Sequence, residues 1–212
     1  MKKNSNKIFL FIGILALSSI PAAFSQDKPD ALKLYNDGKY AEAEAACLDE
    51  LKDTPKNMNS YAVLCWSLIA EKKYKDAAAN AEKGMKISRY DRRLLDSAAK
   101  AYYYLGDNQK ALNFLEDFVY VAPTTDDIKS IYYLMGEIFI RIGEFNNADI
   151  AFSTALHYDS KQALWWARLG YAREMAKDYT FASEAYENAL KLDPASAEAQ
   201  RGLKNVQTAL GQ

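Results

Sequence analysis

The stretch Trp166-Ala167-Arg168-Leu169-Gly170, followed by Ala182, Tyr186, Ala189 and Pro194, decides the fold, because a counterpart lies 34 residues earlier. There the same columns hold Tyr132, Met135 and Gly136, then Ala148, Phe152, Ala155 and Ser160. Bulky, small and turn residues recur in step, and a fixed period of this size is the mark of a stacked solenoid. The small columns have a physical reason. Two helices approach closely only where side chains are small, so Gly170 with Ala182, and Gly136 with Ala148, mark helix crossings. Pro194 ends the second helix, which it cannot continue.

These columns resemble the consensus of the tetratricopeptide repeat, and the resemblance covers about residues 30–196. It implies an all-α, right-handed α-solenoid of about five helix-turn-helix units plus a C-terminal capping helix. Keeping the phase, a third unit carries Leu95, Ala98, Ala99, Tyr102, Ala111, Leu115, Phe118 and Pro123. A fourth carries Tyr61, Leu64, Cys65, Leu68, Ala77, Ala81 and Gly84. The earliest, with Ala31, Leu34, Ala43, Cys47 and Pro55, keeps only part of its first helix. The expected division is 26–57 for this degenerate first unit, then 58–91, 92–125, 126–162 and 163–196 for the rest, and 197–212 for the cap. A slip of three residues near Thr124 to Ile128 predicts a longer turn, an N-cap from Thr or Asp, and a local kink in stacking. Gly38, Gly106 and Gly143 stand at inter-helix turns, where a helix C-terminus favours a left-handed residue. In Ala197 to Leu210, the apolar stripe Leu203, Val206 and Leu210 opposes a polar face, as a terminal cap requires.

Residues 1–25 read as a secretory signal peptide. Lys2, Lys3 and Lys7 precede an uncharged run from Ile8 to Leu17, and Ala23-Phe24-Ser25 sets small residues before a cut ahead of Gln26. The apolar stretch is short for a membrane span and is interrupted by Ser18, Ser19 and Pro21. No Cys near the cut offers a lipoprotein anchor. The short Lys-rich start points to a bacterial periplasmic or secreted protein, with no membrane insertion after cleavage.

Cleavage leaves 24 basic against 28 acidic side chains, a formal net charge of −4, with no basic stripe for nucleic acid. His157 is the only histidine, so neither a metal cluster nor a Ser/His/Asp triad can be assembled around it convincingly. Carboxylates follow solvent-facing helical positions, Glu137 and Glu174 alone falling in inward columns, and no glycine-rich phosphate loop exists. The reading is therefore a non-enzymatic protein with no cofactor. Cys47 and Cys65 belong to neighbouring helices. They read first as two buried small apolar residues, with a disulfide as the alternative in an oxidising compartment.

The resemblance implies that the first helix of each unit lines a concave groove where a protein or peptide binds. Helix-one positions not used for stacking are Ala62, Trp66 and Ile69, then Lys100, Tyr103 and Tyr104. Tyr133, Glu137, Ile140 and Arg141 follow, and then Arg168, Tyr171 and Glu174. Aromatics mixed with Arg, Lys and Glu are the residue types of binding hot spots. The Lys/Asn/Arg clamp of chaperone-tail-binding members is absent, since the matching places hold Ala62, Trp66, Ser97, Ser130 and Leu134, or, one unit later, Asp96, Lys100, Leu134, Leu164 and Arg168. The competing function is a structural or self-associating subunit of a cell-envelope assembly, using the poorly covered first unit.

Overall fold

The computed structural model describes residues 29–211, so the signal-peptide reading lies outside the described residues. Among these, eleven helices and no strand are present. They are α1 (Ala31–Asn36), α2 (Tyr40–Asp53), α3 (Met58–Ala70), α4 (Tyr74–Met85), α5 (Arg92–Leu105) and α6 (Asn108–Val121). There follow α7 (Ile128–Arg141), α8 (Phe145–Tyr158), α9 (Ala163–Met175), α10 (Tyr179–Leu192) and α11 (Ala197–Leu210). Each helix packs on the next in the chain, and odd-numbered helices also pack on odd-numbered ones, so the chain is an α-solenoid built from neighbour contacts. No helix among the described residues is long and apolar enough to cross a membrane.

The crossings follow from side-chain size. Ala43, Ala77, Ala111, Ala148 and Ala182 occupy one column, and all five are fully buried. A second pair of columns is complementary in volume. Where the first helix supplies Gly136, the second supplies Phe152; where it supplies Gly170, the second supplies Tyr186. A Cβ on Gly136 would stand 2.6 Å from the Phe152 ring, and one on Gly170 would stand 2.7 Å from the Tyr186 ring. In the earlier units the same columns hold Cys65 with Ala81 and Ala99 with Leu115, all buried. A smaller partner on one helix accompanies a larger one on the other, which keeps the interior close-packed at each level.

The inter-helix turns obey one backbone rule despite different residues. Gly38, Gly106 and Gly143 have φ of 76°, 81° and 80°, and where the chain lacks glycine, Lys72 and Lys177 take φ of 61° and 66°. The turn geometry therefore overrides the cost of a side chain in the left-handed region.

The three-residue slip produces the sparsest junction between units, α6 against α7. A large apolar cluster fills it, with Leu95, Leu115, Phe118, Ile128, Ile131 and Ile138 all at most 2% exposed. The expected side-chain N-cap is not made. Asp127 precedes α7 in helical conformation without capping it, because its carboxylate pairs with Arg92 of α5. Thr125 instead donates its hydroxyl back to the Ala122 carbonyl at 3.2 Å.

Candidate functional site

The odd helices α3 to α9 carry the predicted groove residues, and the structure sets the C-terminal ones apart from the N-terminal ones. In the C-terminal half they bind one another. Arg168 of α9 grips Glu137 of α7 with two bonds, at 2.6 and 2.8 Å, and reaches Glu198 of α11 at 3.1 Å. These groups are only 16–31% exposed, and burial of Arg168 is outweighed by the two carboxylates, which raise its affinity for its proton. Glu174 accepts the Tyr186 hydroxyl at 2.6 Å and the Asn205 amide at 3.1 Å. Burial, then the Glu174 charge, holds the Tyr186 phenol protonated. Tyr133 stacks on Trp165 at 5.2 Å, and burial together with Glu137 likewise raises its pKa. Tyr171 lies 5.5 Å from the Arg168 guanidinium, and Ile140 packs half-buried against the Phe152 and Leu169 cluster.

Midway along the groove, Arg141 sits 3.9 Å over the Tyr103 ring and donates to the Tyr103 carbonyl at 2.7 Å. That contact ties α7 to α5 across the slip. Tyr104 is 55% exposed but stacks on Tyr74 at 4.6 Å. Lys100 donates to Asp96 at 2.7 Å, and burial pushes the Asp96 carboxyl above its ordinary range despite that pairing. One predicted contact is corrected. Ala62 is fully buried among Tyr61, Cys65, Leu94 and Ala98, because its turn of α3 faces α5 rather than open groove.

The N-terminal half is different. Trp66 is half-buried, 5.7 Å from Tyr35, and it borders two adjoining cavities of about 440 and 320 Å³. Its indole N–H meets no acceptor among the described residues, whereas Trp166 donates to the Ser160 carbonyl at 2.8 Å. Ile69 packs half-buried beneath Trp66 with Leu64 and Leu68. The cavities lie where α1, α3 and α5 begin. Asp30, Asn57 and Asp91 are the N-caps of those helices and leave few backbone donors open there.

Arg93 spans both cavities and is fully committed. It forks onto Asp91 at 3.0 and 2.7 Å and gives its remaining nitrogen to Asn59 at 2.7 Å. Burial raises the Asp91 pKa, but the Arg93 bonds outweigh it and hold the carboxyl below its usual range. The side-chain amide nitrogens of Asn57 and Asn59 remain without an acceptor among the described residues. Sequence reasoning passed over Glu50, Asn57, Asn59 and Arg93. Asn59 and Arg93 occupy one column a full period apart, so a search for polar pairs at the repeat spacing would have found them.

Cys47 and Cys65 are free, fully buried thiols, and Cys65 donates to the Ala77 carbonyl at 3.6 Å. Burial pushes each pKa up to about 12, helped by Glu50 at Cys47 and by Cys47 at Cys65. His157 is exposed and meets the Tyr158 ring edge-on.

The tetratricopeptide repeat model matches residues 130–162, which span α7 and α8. Solved structures resemble the whole solenoid. MamA from Desulfovibrio magneticus is 17% identical with a TM-score of 0.71, over 79% of this chain and 93% of that one. YrrB, a tetratricopeptide-repeat protein with an unusual peptide-binding site, is 17% identical with a TM-score of 0.71, over 82% and 88%. A tetratricopeptide-repeat protein from Parabacteroides merdae is 16% identical with a TM-score of 0.70, over 85% and 71%. Likeness at this identity speaks for the fold, and the matched repeat speaks for the sequence. The chain therefore carries a tetratricopeptide repeat at residues 130–162, within a fold it shares with tetratricopeptide-repeat proteins.

Proposed function

We propose that the protein is an exported, non-enzymatic scaffold that holds an extended segment of a partner protein in the N-terminal half of its groove. One observation carries this reading: Trp66 lies between two cavities with its N–H unused, beside two free asparagine amides, while the equivalent C-terminal positions are closed by Arg168 and its carboxylates. An aromatic wall with unsatisfied donors suits an extended chain, whose carbonyls need partners and whose side chains need pockets. The peptide-binding site of YrrB, which shares the fold, is consistent with this use. Export rests on the first 25 residues, and a periplasmic or extracellular partner follows from it.

Affinity capture from envelope extract tests the reading, with wild type compared against Trp66→Ala and Tyr171→Ala. Loss of the captured partner with Trp66→Ala alone is the predicted result; equal recovery by wild type and Trp66→Ala would refute it. Self-association has its own supporting observation, since Leu32 and Leu48 of the first unit are 46% and 43% exposed. Light scattering on the mature chain separates the two, a stable monomer removing the self-associating alternative.

A further inference from the structure

The charge left over around Trp66 narrows the partner's chemistry. In the two cavities every cation is already paired: Arg93 with Asp91, and Arg92 with Asp127, while Lys100 beside them takes Asp96. The larger cavity also contains Glu50 and Asp30, and neither has a cationic partner among the described residues. Glu50 accepts only the Ser60 hydroxyl, at 2.5 Å, and keeps its other oxygen unbonded. Asp30 caps α1 through the Lys33 amide, but α1 is six residues long and its dipole is correspondingly weak. The N-termini of α3 and α5 are answered by Asn57 and Asp91. Among the described residues, the cavity thus carries uncompensated negative charge against an aromatic wall.

We propose that this cavity receives a basic side chain of the bound segment, arginine being the best fit. The proposal rests on the groove reading and adds the partner's chemistry to it. A guanidinium is flat enough to lie on the Trp66 indole and has five donors, enough to reach Glu50 and Asp30 together. Val63, 6% exposed, and Ala31, 5% exposed, give the stem of such a side chain an apolar floor. Lysine has the charge without the fork or the plane, so it ranks second. An acidic side chain would meet Glu50 with no free cation to offset it.

The experiment pans a random twelve-residue peptide library displayed on phage against the full chain. Its arms are wild type, Glu50→Gln and Trp66→Ala, with the strongest wild-type peptide then measured by fluorescence polarisation. Glu50→Gln keeps an acceptor for Ser60, so the fold is retained, as circular dichroism verifies. The expected result is enrichment of arginine at one peptide position. Replacing that arginine by leucine should weaken binding about tenfold or more, and Glu50→Gln should weaken the arginine peptide by a similar factor while hardly changing the leucine one. Peptides that depend on Trp66 but carry an aliphatic or acidic residue at the shared position would overturn the proposal and leave the groove reading standing. Peptides indifferent to Trp66→Ala, or no enrichment at all, would overturn both.

Discussion

Tyr186 is the joint between the fifth helix pair and the closing helix, and Gly202→Ala tests it most sharply. The ring is 1% exposed, lies against Gly170 of α9 on one side and Gly202 of α11 on the other, and is tethered through its hydroxyl to Glu174 at 2.6 Å. A Cβ on Gly202 would fall 2.1 Å from Cζ and 2.5 Å from both Cε atoms, so the ring would have to retreat by more than an ångström. Retreat is blocked, because the place of a Gly170 Cβ is itself only 2.7 Å from the ring. Overpacking of this kind costs about 1–3 kcal/mol, and loss of the bond to a charged acceptor adds about 1.5–3. Alanine returns about 1 through its helix propensity, which leaves a net loss of roughly 1.5–5 kcal/mol. Urea melts followed by circular dichroism give the total, and hydrogen exchange should place the loosening in α10 and α11, since a solenoid weakens locally. Made in a Tyr186→Leu background, the same substitution should cost under about 1 kcal/mol, because the clash has been removed. Wild-type stability for Gly202→Ala, or equal cost in both backgrounds, would refute the keystone role of the ring.

Other outcomes follow from single contacts. Arg168→Ala strips Glu137 and Glu198 of their shared cation in a partly screened site and should cost about 2 kcal/mol in urea melts, well above a typical surface pair. Lys177→Gly relieves a side chain held at φ 66° and should stabilise by about 0.5–1 kcal/mol, visible as a raised Tm. Gly106→Ala should do the opposite by a similar amount, although no atom lies near its Cβ. Cys47 and Cys65 should resist iodoacetamide in the native state at pH 8 and react on unfolding. Their folded pKa values are raised, so their contribution to stability is complete below the unfolded thiol range, about pH 8.5, and is lost as pH rises toward 12. A wild-type urea midpoint should therefore fall more steeply above pH 9 than that of a Cys47→Ala/Cys65→Ala variant.

The solenoid was legible because its determinants are local and periodic. Gly170 against Tyr186, and Gly136 against Phe152, are size relations that a column comparison exposes directly, and the turn glycines mark left-handed backbone. Lys72 and Lys177 show where that signal ends, since only the period, not the residue type, places them in the same conformation. The groove was less legible because its residues interact across units. Arg168 finds Glu137 31 residues before it and Glu198 30 after it, and Arg93 finds Asn59 34 before it. No single-helix reading distinguishes a charge free to bind a partner from one already held. The same applies to Asp127, an N-cap by local rules that Arg92 recruits from 35 residues away. Ala62 was misplaced because a helix-one column faces the neighbouring helix as well as the groove, and a methyl group gives no hint of which.

Hydrogen exchange on the chain, with and without a bound segment recovered by capture or panning, tests the division of the groove most directly. The account predicts slowed exchange concentrated in α3 and α5 around Trp66 and Arg93, with α9 and α11 unchanged. Protection centred on α9 and α11, or confined to α8 and α10, would contradict it.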